Sequence, residues 1–237
     1  MPRDRKDDRV IALRSNKYGD WRYISQPEKR RTTTNIQGAK RDVVVIGASA
    51  GGVMALTELF AALPAAFPAL IGVVLHRSTV PGELANVLGR KSALPVVEPT
   101  GRGPLDAGVI YLAPPDHHLL FERDIVAAHR GPREHSTRPA IDPLFRSAAA
   151  AYGERVVGIL LTGCGEDGVS GLIAISQASG VTLAQDPSDA YMPYMPMNAL
   201  RFDDVSGMFP LRDMAPVVAA LVEGKSVRAR TRPARRG

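Results

Sequence analysis

The chain has few of the residues that disulfides, metal centres and membrane spans require. Its single cysteine, Cys164, cannot form an internal disulfide, and one thiol is too few for a cysteine-based zinc site. No apolar run approaches the roughly 20 residues of a membrane helix, and residues 1–40 are too charged to contain the apolar core of a signal peptide. We therefore expect a cytoplasmic protein with no membrane insertion, no metal and no cofactor.

Acidic residues are scarce at both ends of the chain. Residues 1–41 hold 12 basic and 5 acidic residues, and residues 224–237 hold 6 basic residues and no acid. Residues 42–223 hold 12 basic and 19 acidic residues, a net charge of −7. We predict a basic, disordered segment over 1–41, one α/β domain over 42–223 and a basic tail over 224–237. The basic tails suit an acidic partner, and nucleic acid is not an expected partner.

A glycine-rich turn follows an unbroken β-branched run. Residues 43–46 predict a strand buried on both faces, and the helical spacing of apolar residues from Val53 onward predicts a helix after the turn. Between them, residues 47–51 fit G-x-S-x-G, which lifts a serine hydroxyl, here that of Ser49, above the carboxyl edge of a sheet. The same turn could hold a pyrophosphate, although its spacing departs from G-x-G-x-x-G.

Strand and helix patterns alternate along the rest of the domain. Further buried strands are predicted at residues 70–75, 109–112, 156–161 and 181–184. Residues 118–122 and 125–129 predict an antiparallel hairpin, and residues 186–198, with three prolines, predict a loop. The alternation predicts an α/β fold with a doubly wound, mostly parallel sheet and an antiparallel hairpin at one edge.

Three of the predicted parallel strands end near a residue that is used in acyl transfer. These residues are Ser49, His76 and Asp167, and the carboxyl ends of parallel strands open into one crevice. A serine needs a base such as His76, and the base needs a carboxylate such as Asp167 to fix its tautomer. Each residue alone is explained as well by a helix cap or by chance, but together they favour a catalytic triad. A dinucleotide site would place an acid where this chain has His76 and Arg77.

Five segments, taken in order, resemble the catalytic domain of the chemotaxis protein-glutamate methylesterases (CheB type). They are residues 45–52, 75–76, 111–118, 138–145 and 161–168, within a match over about residues 42–222. The resemblance implies an esterase that hydrolyses glutamate γ-methyl esters on chemoreceptors or another carboxyl-methylated protein. Family members also deamidate receptor glutamines. The resemblance places Ser49 on the nucleophile, His76 on the base and Asp167 on the orienting carboxylate.

The sequence departs from the family pattern near the predicted nucleophile. Ala50 stands where the family commonly has threonine, Cys164 where it has methionine and Tyr194 where it usually has glycine. Backbone amides at Ala50 and Cys164 could still form an oxyanion hole, because a main-chain donor remains after a change of side chain. Arg138 and Met195 are further candidates for contact with the substrate.

The predicted domain is preceded by a short segment. Family members in chemotaxis usually carry an N-terminal receiver domain, and 40 residues are too few to form one. We therefore expect an esterase domain whose activity is not gated by phosphorylation of this chain. The alternative is a non-catalytic regulatory or scaffolding domain of the same fold.

Overall fold

The computed structural model describes residues 10–15, 21–26, 32–202 and 205–231, in two compact units. In the smaller unit, β1 (Val10–Ser15) and β2 (Trp21–Gln26) form an antiparallel hairpin. Both segments therefore adopt strands where the sequence predicted disorder. Of the rest of that segment, residues 32–36 also form a strand, and residues 1–9, 16–20 and 27–31 lie outside the described residues, as do residues 232–237 of the predicted tail.

The larger unit, Thr33–Thr231, is an α/β domain. Its strands are β3 (Thr32–Ile36), β4 (Val43–Ala48), β5 (Leu70–Leu75), β6 (Val96–Val97), β7 (Arg102–Pro104), β8 (Ile110–Leu112), β9 (His118–Glu122), β10 (Ile125–His129), β11 (Val156–Leu160), β12 (Val181–Gln185), β13 (Gly207–Phe209) and β14 (Val227–Thr231). Its helices are α1 (Gly52–Ala61), α2 (Leu84–Gly89), α3 (Ile141–Tyr152), α4 (Val169–Gln177), α5 (Tyr194–Phe202) and α6 (Leu211–Val222). Across the described ranges, no helix has both the length and the apolar character needed to span a bilayer.

Nine of these strands form one sheet. Their order is β3-β14-β13-β12-β11-β4-β5-β8-β6, and the strands from β13 to β6 pair in parallel. Strand β14 runs antiparallel to β13. The prediction of a mostly parallel sheet is confirmed. The three strands that precede the predicted triad residues, β11, β4 and β5, are neighbours in this order.

The sheet is covered on both faces because alternate residues of its strands point to opposite sides. In β4, Val44 and Ile46 belong to the apolar cluster that includes α1 and α6, whereas Val43 and Val45 belong to the cluster that includes α3 and α4. All four side chains are at most 2% exposed. This two-sided burial explains why β4 is continuously apolar, as expected for a central parallel strand.

The predicted hairpin is present as β9 and β10. Strand β7 pairs with β10, so β7, β10 and β9 form a small antiparallel sheet of three strands. Phe121 of β9 is buried beside Gly72 of β5, where an added Cβ would lie 2.7 Å from the Phe121 ring. The small sheet therefore packs with α3 over one face of the main sheet.

The domain extends past both predicted limits, residues 42 and 223. Strands β3 and β14 lie side by side in the main sheet. In β14, Val227 and Ala229 are buried while Arg228 and Arg230 are exposed, which is the alternation of a half-buried strand. Two of the six basic residues of the predicted tail, Arg228 and Arg230, thus occupy the exposed positions of a strand, a pattern that a count of charges does not show.

The predicted loop over residues 186–198 is partly helical, since α5 begins at Tyr194. Pro196 is the third residue of this helix. A proline in the first helical turn costs no internal hydrogen bond, because the amide groups there have no partner within the helix. The prolines therefore did not exclude a helix start.

We predict that Gly47→Ala destabilises the domain by about 1–3 kcal/mol, because it forces side chains apart in a close-packed core. A Cβ on Gly47 would lie 2.5 Å from Cγ2 of Ile141, the first residue of α3. The free energy of unfolding in urea measures the effect. Gly82→Ala is the matched control, since an added Cβ there meets nothing within 4 Å. Equal destabilisation by both changes would contradict the prediction.

Candidate active site

Ser49 lies in the tight turn between β4 and α1, at the carboxyl edge of the sheet. Its N–H donates to the carbonyl of Thr162 (2.9 Å), and its carbonyl accepts from the N–H of Gly52 (2.8 Å). Gly51 has a φ of 79°, which glycine adopts at no steric cost, and a Cβ there would lie 2.7 Å from Cβ of Tyr191. The turn is thus fixed from both sides and leaves Ser49 half-buried.

His76 directly follows β5, the neighbour of β4. Its N–H donates to the carbonyl of Ala48 (3.0 Å), which places the ring beside the Ser49 turn. The imidazole Nδ1 lies 3.2 Å from Oγ of Ser49, and Nε2 lies 2.7 Å from Oδ2 of Asp167. The structure therefore brings the three residues predicted from the strand ends into one hydrogen-bonded line.

Asp167 is almost completely buried and receives hydrogen bonds from three directions. Its Oδ2 accepts from the N–H of Ile141 (2.8 Å) as well as from His76, and its Oδ1 accepts from the N–H of Asp142 (3.0 Å). These two amides belong to the N-terminal turn of α3, where the helix dipole also favours an anion. Burial alone would raise the pKa of Asp167, but the bonds from His76 and the two amides outweigh burial and lower it.

The charge on Asp167 decides the tautomer of His76. An ionised carboxylate can only accept hydrogen bonds, so Nε2 of a neutral His76 must carry the hydrogen. The lone pair then lies on Nδ1 and faces the Ser49 hydroxyl. In the triad of chymotrypsin the two ring nitrogens have the opposite partners, with Nε2 toward the serine and Nδ1 toward the carboxylate.

A second buried carboxylate, Asp142, lies beside Asp167 and was missed as a site residue. Its Oδ1 accepts from the N–H of Gly168 (3.0 Å) and of Gly171 (2.7 Å), in the first turn of α4, and its Oδ2 lies 2.9 Å from Nε2 of His135. Burial, and then the charge of Asp167, raise the pKa of Asp142, although the hydrogen bond from Gly171 opposes them. The sequence signal for Asp142 was its place before Pro143, a pair that is typical of a helix start and does not indicate a site residue.

The hydroxyl of Thr162 joins the Ser49 turn to the loop before α5. It donates to the carbonyl of Ala50 (2.9 Å) and accepts from the N–H of Met192 (2.8 Å). The N–H of Thr162 donates to Oε1 of Gln185 (2.9 Å). Thr162 was also missed, since the sequence placed it only within the segment 161–168.

Of the other candidate contacts, three lie next to Ser49. Ala50 and Cys164 are exposed, and no hydrogen bond from the N–H of either is formed within the described ranges. A Cβ on Gly163 would lie 2.8 Å from both Cβ of Ser49 and Cε of Met195, so the turn at Cys164 and the buried Met195 border the Ser49 side chain. The N–H groups of Ala50 and Cys164 therefore have no protein acceptor within the described ranges, and both residues are close to Ser49 in the chain or in space.

The fourth candidate, Arg138, is engaged elsewhere. Its Nε and Nη2 donate to Oδ1 of Asp116 (2.9 and 2.7 Å), and its Nη1 donates to the carbonyl of Gly131 (2.6 Å). These bonds anchor the chain that leads into α3. The prediction of Arg138 as a substrate contact therefore has no support from its hydrogen bonds.

Three potential metal ligands, His135, Asp142 and Asp167, have ligand atoms within 4.8 Å of one another. Both carboxylates already accept two backbone N–H bonds each and lie against a histidine. Backbone N–H groups and the two imidazoles thus supply hydrogen bonds that compensate for the burial of both carboxylates, and this explanation does not require a cation.

A doubly wound sheet with serine, histidine and a buried carboxylate in line at its carboxyl edge is the arrangement of serine hydrolases. The chain belongs to the CheB methylesterase family, whose model matches residues 44–218. A crystal structure of the Thermotoga maritima CheB methylesterase catalytic domain superimposes with a TM-score of 0.72 at 29% identity. That match covers 78% of this chain and all of that domain.

Two curated relatives differ in how much of them this chain covers. "Protein-glutamate methylesterase/protein-glutamine glutaminase 2" of Anaeromyxobacter dehalogenans is 38% identical over 194 residues, which cover 81% of this chain and 57% of the relative. A Leptospira interrogans protein with a provisional name for the same activities is 32% identical over 182 residues, covering 76% of this chain and 94% of the relative. The chain therefore spans little more than half the length of the first relative.

We predict that the stabilising effect of the Asp167 charge depends on pH. Because folding lowers the pKa of Asp167 from its ordinary value of 3.8, its contribution is complete above that value and is lost as the pH falls through the folded-state pKa. Asp167→Asn should therefore cost about 1–3 kcal/mol of unfolding free energy at pH 7 and progressively less below about pH 4. Urea unfolding of both proteins from pH 7 to pH 3 measures the difference.

The control for this experiment is Glu166→Gln, which changes the adjacent, exposed acid. Its unfolding free energy should stay close to that of the wild type at every pH. A cost of Asp167→Asn that is constant from pH 7 to pH 3 would show that the Asp167 carboxylate gains nothing from its ionised state.

Proposed function

We propose that this protein is a serine esterase that hydrolyses glutamate γ-methyl esters on a chemoreceptor-like protein, with Ser49, His76 and Asp167 as its catalytic triad. The observation that carries the proposal is the hydrogen-bonded line from Asp167 through His76 to the Ser49 hydroxyl. Membership of the CheB methylesterase family supports the ester as substrate. The names of the relatives support a protein glutamate as the esterified group.

The first half of the reaction follows from the tautomer of His76. As Oγ of Ser49 attacks the ester carbonyl, its proton moves to Nδ1 of His76, which lies 3.2 Å away. The resulting imidazolium donates to the ionised Asp167 through Nε2 and is stabilised there. When the tetrahedral intermediate collapses, the proton on Nδ1 passes to the leaving methoxide, and methanol departs. The glutamyl group remains on Ser49 as an ester.

The second half repeats these steps with water. His76 removes a proton from water as its oxygen attacks the glutamyl–Ser49 ester, and it returns the proton to Oγ of Ser49 as the ester bond breaks. The product is a glutamate side chain. The same cycle with a glutamine side chain would release ammonia in place of methanol, in keeping with the second activity in the relatives' names.

The free amides beside Ser49 suit the negative oxygen of the intermediate. Ala50 directly follows Ser49, and Cys164 follows Gly163, which lies against the Ser49 side chain; the N–H groups of both form no hydrogen bond within the ranges that the structure describes. Backbone donors held in place before reaction stabilise an oxyanion without reorganising. Because the donors belong to the main chain, alanine and cysteine at these positions are compatible with this role.

The surface beside the nucleophile suits a protein substrate. Tyr191, which packs on Gly51, is 75% exposed, and Met54 in the first turn of α1 is 77% exposed. Tyr194 is 39% exposed at the start of α5. These apolar side chains lie on elements that border Ser49, and an aromatic and methionine surface is typical of protein interfaces.

The proposal is tested by methanol release from a synthetic peptide that carries one glutamate γ-methyl ester. We predict that Ser49→Ala lowers kcat by at least about 1,000-fold, since removing a triad nucleophile leaves only the contribution of binding and oxyanion stabilisation. Ser170→Ala, which changes an exposed serine of α4, should leave the rate unchanged.

Equal release by wild type and Ser49→Ala would contradict the assigned nucleophile. No release by the wild type, from the peptide or from a methylated receptor fragment, would favour the non-catalytic domain of the same fold.

A further inference from the structure

The proposed reaction gives no role to Asp142, the buried acid that lies beside Asp167. Asp142 is 1% exposed and lies in the first turn of α3. Within α3 its carboxylate forms one long ion pair, with Arg146 at 3.9 Å, and its backbone hydrogen bonds come from another helix. It accepts from Gly168 and Gly171 at the start of α4. A second buried carboxylate close to Asp167 is electrostatically costly, so its presence requires a compensating benefit.

Each of the two aspartates caps the N-terminus of the other's helix. Asp167, which precedes α4, accepts from the first two amides of α3, and Asp142, which belongs to α3, accepts from two amides at the start of α4. Neither helix has a side-chain cap of its own. Four hydrogen bonds therefore tie the N-termini of α3 and α4 to each other through these two carboxylates.

One of these four hydrogen bonds holds the turn that carries Asp167. Gly168, whose N–H donates to Asp142 at 3.0 Å, is the next residue in the chain, so Asp142 holds the peptide group adjacent to Asp167. Gly168 also has a φ of 94°, so the backbone bends sharply at this point. Without Asp142, the N–H of Gly168 would lose its acceptor, while His76 would still donate to the carboxylate of Asp167.

We propose that Asp142 is a positioning residue for the reaction, which holds Asp167 in line with His76 by anchoring the Asp167–Gly168 turn to α3. His135 supports it by occupying the second carboxylate oxygen at 2.9 Å. The inference rests on the proposed function, since it assigns Asp142 to the same triad. It does not place Asp142 in contact with the substrate.

Two substitutions separate positioning from charge. Asp142→Asn keeps an oxygen that can accept from Gly168 and Gly171, whereas Asp142→Ala removes both bonds. We expect Asp142→Ala to lower kcat for methanol release from the γ-methyl ester peptide by about 10–100-fold, because small displacements of a catalytic group cost about that much. KM should change by less than about threefold, and Asp142→Asn should keep kcat within about threefold of the wild type.

The control is Asp42→Ala. Asp42 pairs with Arg155 (2.7 Å) and precedes β4, at the end of that strand opposite to Ser49. The change should lower stability and leave kcat unaltered, which separates a loss of fold from a loss of alignment. Circular dichroism at the assay temperature confirms that each variant is folded. If Asp142→Ala does not fold, His135→Ala replaces it, since His135 is exposed, with an expected fall in kcat of about 3–10-fold.

The outcomes distinguish this inference from the proposed function. An active wild type with an equally active Asp142→Ala, or His135→Ala in its place, would overturn the positioning role and leave the triad intact. A fall in kcat with Asp142→Asn as large as with Asp142→Ala would also overturn it, because the retained acceptor would then have no effect. An inactive wild type would contradict the proposed function, and the role of Asp142 would fall with it.

Discussion

The site depends on one buried anion, the carboxylate of Asp167, and on the donors that make its burial possible. A carboxylate that is almost completely removed from water is stable only if hydrogen bonds replace its hydration. The first two amides of α3 and the imidazole of His76 supply those bonds. The same contacts that keep the group ionised also orient it, so the electrostatics of Asp167 and the alignment of His76 have one cause.

The sheet brings these groups together from distant parts of the chain. Strands β11, β4 and β5 are neighbours and parallel, so the segments that follow them emerge side by side at one edge. Ser49 and His76 come directly after their strands, while Asp167 lies several residues beyond β11, in a turn that must be held separately. That difference explains why the Asp167 turn has an elaborate set of anchors, with α3 on one side and α4 on the other.

Much of this site was predictable because strand ends obey a simple topological rule. The β-branched runs before Ser49 and His76 predicted parallel strands, and parallel strands place their carboxyl ends at one crevice. Long-range capping could not be predicted, because Asp142 and Asp167 each lie at a helix start, where a local pattern indicates only a role in the residue's own helix. In the structure each carboxylate accepts from the amides of the other helix. Arg138 was assigned from a motif, but its guanidinium pairs with Asp116, a contact that only the folded chain reveals. Strand β14 was not predicted, because its exposed arginines were counted as part of a basic tail.

The most direct test of the proposed catalytic arrangement is the tautomer of His76, read from the ¹⁵N chemical shifts of its ring nitrogens in the resting protein. Because the ionised Asp167 accepts from Nε2, that nitrogen should be protonated and Nδ1, which faces the Ser49 hydroxyl, should carry the lone pair. A neutral imidazole with its hydrogen on Nδ1 would contradict the arrangement, since the serine would then face a donor instead of a base.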